Sequence, residues 1–104
     1  MNLDHLRYFV KLAEVGHYTK AAEQLCIAQP SLSHAMRTLE TELGVPLFER
    51  SGRNTVLTRY GREFLHCAQR TLATLDQGVG SLQHSAQGEG LIRLGFVRAL
   101  GTVF

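Results

Sequence analysis

The stretch Thr19-Lys20-Ala21-Ala22-Glu23-Gln24-Leu25-Cys26-Ile27-Ala28-Gln29-Pro30-Ser31-Leu32-Ser33-His34-Ala35-Met36 decides the fold. Thr19 is a good N-cap, because its hydroxyl can accept a backbone N–H of the turn that follows. The helix it opens, Lys20 to Leu25, is short. It carries Ala21 and Ala22, side chains small enough to let another helix cross at close range. Pro30 marks the next start, since a missing N–H costs nothing in the first turn of a helix. From there Leu32, Ala35, Met36, Leu39 and Leu43 recur at helical spacing and point inward. Ser31, Ser33, His34, Arg37 and Thr38 lie on other faces, and Gly44 stops the helix. Two helices joined by so short a connection, the second opening with polar residues, make the pattern of a helix-turn-helix unit. The hydrophobic spacing fits an ordinary three-helix bundle equally well.

Residues on either side separate the two. On the N-terminal side, Leu3, Leu6, Phe9, Val10 and Ala13 share one helical face, and Gly16 ends that helix. Tyr8, Phe9 and, further on, Phe48 read as core aromatics. On the C-terminal side, Val45 to Arg50 and Thr55 to Leu57 are extended runs around Ser51-Gly52-Arg53-Asn54. This is the signature of a hairpin, and after a helix-turn-helix it reads as a wing. Arg53 sits near its tip, where a side chain can reach a narrow, electronegative minor groove. From Arg50 to Arg62 the chain carries Arg50, Arg53, Arg59 and Arg62 and no acidic residue. A solvated basic loop would look the same, but beside a polar-starting helix the stretch favours nucleic acid.

Thr58 caps a long helix. Its apolar positions Leu65, Ala68, Leu72, Leu75, Val79, Leu82 and Ala86 alternate spacings of three and four. That is a heptad seam, suited to pairing with a second copy; a helix docked along its own domain would show the same spacing. Gly78 and Gly80 each cost a helix interior about 1 kcal/mol relative to alanine. Leu91-Ile92-Arg93-Leu94-Gly95-Phe96 reads as a strand, and a lone strand cannot form a sheet. It is expected to begin a second domain.

Bulk properties narrow the function classes. The net charge is +2 with a pI near 8.8, which permits nucleic-acid binding without requiring it. A chain that is 44% hydrophobic and 19% charged is not a disordered tail. No apolar run approaches the roughly 20 residues of a membrane span. Asp4, His5 and Arg7 interrupt any secretory leader, so a cytoplasmic location is expected. Cys26 and Cys67 form no disulfide framework, and His5, His17, His34, His66 and His84 show no metal-ligand spacing. No nucleophile–base arrangement or phosphate loop argues for an enzyme. A module that serves protein assembly only remains the alternative to DNA binding.

The ordered set Leu6-Arg7-Tyr8-Phe9, Thr19-Lys20-Ala21-Ala22, Leu25, Gln29-Pro30-Ser31-Leu32-Ser33, Leu39-Glu40, Leu43-Gly44-Val45-Pro46-Leu47-Phe48-Glu49-Arg50, Leu57-Thr58 and Gly61 resembles the LysR-type transcriptional regulators. The resemblance covers nearly the whole chain. It implies a mainly α fold, a winged helix-turn-helix of three helices and a short β-hairpin, followed by a long dimerisation linker helix. Residues 1–58 would be the DNA-binding domain, 59–87 the linker, and 88–104 the start of a truncated effector-binding domain. No cofactor is implied for this segment; a small-molecule effector is implied for the domain beyond it. The implied partners are an inverted-repeat duplex and a second copy of the chain paired through Leu65, Ala68, Leu72, Leu75, Val79 and Leu82, with tetramers for the full-length protein. Gln29, Pro30, Ser33 and His34 match base-contacting positions, Thr19, Ser31, Arg37 and Arg50 backbone-contacting ones, and Arg53 the wing residue of the minor groove. Glutamine can pair with adenine through two hydrogen bonds, and proline can touch a thymine methyl. His34 departs from the family, which often carries arginine or another long polar residue there.

Overall fold

The computed structural model describes residues 1–89. The expected strand at 91–96 lies outside them. The elements run α1 (Leu3–Val15), α2 (Tyr18–Leu25), α3 (Gln29–Leu43), β1 (Phe48–Ser51), β2 (Asn54–Leu57) and α4 (Arg59–Gly88). The expected mainly helical, winged helix-turn-helix arrangement is present, with its long following helix. Two compact units are distinguished, residues 1–70 and residues from Thr71 onward.

Local chemistry explains the element ends in the first unit. The Asn2 side chain accepts the His5 amide at 2.8 Å and caps α1. Gly16 closes that helix in the left-handed conformation, as Gly44 does for α3. The start of α2 differs from the sequence expectation. Thr19 is not its cap; the helix begins earlier, and His17 Nδ1 accepts the Lys20 amide at 3.3 Å. An imidazole with an unprotonated ring nitrogen serves as acceptor where a hydroxyl was expected. Cys26 ends α2 with a φ of +59°.

The core is built from one stripe of each helix. Phe9, Leu12, Leu32, Met36, Leu39 and Leu47 are fully buried. Each such side chain contributes about 1.5–3 kcal/mol relative to exposure. Ala21 and Ala22 are buried as well, consistent with a close helix crossing. Leu12 was not on the expected face of α1, whereas Val10 and Ala13, which were, are half-buried. The Phe9 ring meets Phe48 edge-on at 5.4 Å and Phe64 at 5.3 Å, joining α1, β1 and the first turns of α4.

The strands pair antiparallel from Phe48↔Leu57 to Ser51↔Asn54, leaving a two-residue turn, Gly52-Arg53. Gly52 takes a φ of +62°. A positive φ at the first central residue matches the turn's twist to that of the strands. Backbone bonds then tie the wing down. Thr55 N donates to Gly16 O at 2.9 Å, and Thr58 N to Leu47 O at 2.9 Å. The Thr58 hydroxyl accepts the Gly61 amide at 3.0 Å, so Thr58 caps α4 as the sequence suggested. The same hydroxyl donates to Pro46 O at 2.6 Å. A Cβ on Gly61 would collide with the Leu47 carbonyl oxygen, so the close approach of α4 to the strand entry requires glycine there.

Among the described residues no helix is long and apolar enough to cross a membrane.

Candidate nucleic-acid interface

An open cleft runs between the start of α3, the start of α2 and the wing. Gln29, Ser33 and Arg37 line it from α3, Thr19 from α2, and Arg50 and Arg53 from the hairpin. The three α3 residues are four apart, so they form one stripe along the helix. Thr19, Gln29, Arg37, Arg50 and Arg53 are exposed, and Ser33 is half-buried. Pro30, Ser31 and His34 are also exposed on α3 but do not line this cleft. Pro30 and His34 occupy the neighbouring stripe, one residue further round the helix.

The cleft is pre-organised by bonds behind it. Gln29 Nε2 donates to Ser33 Oγ at 2.9 Å, which fixes the side-chain amide. The Glu40 carboxylate accepts the Leu47 amide at 2.6 Å and the Phe48 amide at 3.3 Å. It therefore locks the entry of β1 to α3, and with it the spacing between Arg37 and Arg50. Charge in the cleft is mainly positive, with Arg37, Arg50 and Arg53 facing one carboxylate, Glu49. Tyr18 stands half-buried in the cleft wall. Burial pushes the Tyr18 hydroxyl above the usual tyrosine range; the Glu40 carboxylate adds to the rise and Arg37 opposes it.

Sequence reasoning missed His17, Tyr18 and Thr55 as cleft residues. Thr55 faces Arg50 across the hairpin, so the strand register was the signal that could have found it. His17 and Tyr18 come to the cleft because the Gly16 carbonyl is bonded to Thr55, a contact no local pattern announces.

The linker residues divide by exposure. Ala68 is fully buried and Leu72 is 8% exposed within one chain, whereas Leu82 is 63% exposed. Leu65, Leu75 and Val79 are half-buried. Of the six expected seam positions, Ala68 and Leu72 expose the least surface in the single chain and Leu82 the most.

Residues 3–62 match the model of the bacterial regulatory helix-turn-helix proteins of the lysR family. The chain belongs to that family. This LysR-family chain is 46% identical over 100 residues to the HTH-type transcriptional regulator BenM of Acinetobacter baylyi, covering 96% of this chain and 33% of BenM. It is 43% identical over 98 residues to AlsR of Bacillus subtilis, covering 93% of this chain and 32% of AlsR. The chain therefore spans about a third of the length of the curated relatives it matches. Among solved structures, it superposes on the BenM DNA-binding domain in complex with catB site 1 DNA with a TM-score of 0.81. The identity is 45%, over 86% of this chain and 96% of that one. The CbnR DNA-binding domain in complex with DNA gives 0.77 at 37% identity, over 83% and 99%.

Proposed function

We propose that this chain is the DNA-binding and dimerising end of a LysR-type transcription regulator that recognises an inverted repeat in duplex DNA. The cleft carries the proposal. It gathers the polar start of α3 and the wing arginines Arg50 and Arg53 on one surface. In this reading α3 enters a major groove, with Gln29, Ser33 and the exposed Pro30 and His34 toward base edges. Thr19, Ser31, Arg37 and Arg50 hold phosphates, and Arg53 enters the adjacent minor groove. The DNA complexes of BenM and CbnR support duplex DNA as the partner, since both share this fold at well above a quarter identity. The relatives are regulators and not enzymes by name, which supports regulation over catalysis. Two copies paired along α4 would set the half-site spacing by their symmetry. The unmatched two thirds of the relatives would correspond to an effector-binding domain that responds to a small molecule and completes a tetramer in the cytoplasm.

The test is selection of duplexes from a random pool by this chain, followed by titration at several salt concentrations. Enrichment of one palindromic site, with affinity falling steeply as salt rises, is the expected result. Absence of binding even at low salt would overturn the proposal in favour of an assembly module.

A further inference from the structure

We propose that His17 and Tyr18, on the turn between α1 and α2, grip a DNA phosphate with two uncharged donors. This rests on the DNA-binding reading above and adds to it a pair of backbone contacts.

The first donor follows from a hydrogen bond. His17 Nδ1 accepts the Lys20 amide at 3.3 Å, so in the neutral ring that nitrogen carries the lone pair. The ring proton must then be on Nε2, which makes the opposite edge of the imidazole a donor. The second donor is the Tyr18 hydroxyl. Among the described residues it has no hydrogen-bond partner, and it is not sealed from solvent. The nearby Glu40 carboxylate does not claim it, being engaged with the Leu47 and Phe48 amides. Both side chains line the same cleft as Arg50 and Arg53. Their turn is held against the wing by the bond from Thr55 N to Gly16 O. Two fixed, unfilled donors in a basic cleft suit an anionic oxygen, and hydrogen bonds to charged acceptors are the stronger kind.

Two substitutions isolate the donors. Tyr18→Phe removes one hydroxyl. His17→Ser retains a helix-capping oxygen and removes the imidazole donor. Binding would be followed by fluorescence anisotropy on the selected duplex, on its single-base variants and on an unrelated duplex. Each variant is expected to bind about tenfold more weakly on every sequence, as for loss of one hydrogen bond to a charged group. The salt slope should not change, because no charge is removed. The thermal midpoints should stay at the parent value, while His17→Ala, which also loses the cap, should unfold earlier. Replacing duplex phosphates singly by methylphosphonate should reveal one position that weakens the parent more than it weakens either Tyr18→Phe or His17→Ser. Unchanged affinity of either variant removes that residue from the grip. A loss confined to particular base pairs, or no such phosphate position, overturns the proposal. If the parent itself selects no duplex, the failure lies with the DNA-binding reading and takes the grip with it.

Discussion

Gln29 shows how one bond prepares a side chain for its partner. A primary amide offers two N–H donors and one carbonyl. With one N–H held by Ser33 Oγ at 2.9 Å, the other N–H and the carbonyl remain as a donor–acceptor pair. That pair matches N7 and N6 of adenine in the major groove. Gln29→Ala is expected to relax base preference at one position per half-site, costing about 1–3 kcal/mol on the preferred sequence. A panel of single-base variants measures this, and undiminished discrimination would refute the role. Arg53 is the second residue of the hairpin turn, exposed and lining the cleft. Arg53→Ala should weaken binding most on sites with A/T-rich flanks, whose narrow minor grooves concentrate negative potential. An equal loss on G/C-rich flanks would remove the minor-groove account.

At the scale of elements, one carboxylate joins the entry of the wing to α3, beside the backbone bonds that hold the hairpin. Glu40 accepts two backbone amides at the entry of β1, and one of them belongs to the fully buried Leu47. Glu40→Ala leaves that amide without a partner. Destabilisation by about 1.5–3 kcal/mol is expected, the worth of a hydrogen bond to a charged group. Urea unfolding monitored by far-UV circular dichroism checks it; an unchanged midpoint would mean that water or a shifted strand replaces the carboxylate. Nothing in the sequence singled out this function for Glu40, because the contact joins a helix to a strand entry across a turn. What was legible was what punctuation residues announce. Gly16, Pro30, Gly44 and Thr58 stand at element boundaries for reasons of backbone geometry that hold in any fold. The beginning of α2 was misplaced because histidine is an unusual cap, recognisable only once its ring nitrogen is seen against Lys20 N. The cleft was legible in its α3 and wing residues, whose patterns are local. Its His17–Tyr18 edge was not, since a long-range backbone bond delivers it.

For the whole molecule, the surface that covers α4 decides how two copies would pair. A heptad pattern records that certain positions are apolar; it does not record which surface covers them. The six seam positions are therefore not equivalent. Ala68 and Leu72 are covered within one chain, so a charge at either would disturb the chain itself before any partner could be affected. Leu82 is 63% exposed, and its burial would need a second surface. Leu82→Asp thus separates pairing from folding. The variant is expected to sediment as a monomer at concentrations where the parent is a dimer, with little change in the unfolding of residues 1–70. Its affinity for a single half-site should match the parent's. Its affinity for the full inverted repeat should fall by the 10²–10⁴-fold that linking two sites typically confers. A Leu82→Asp protein that still sediments as a dimer would place the partner surface elsewhere on the molecule, and α4 would then be a spacer.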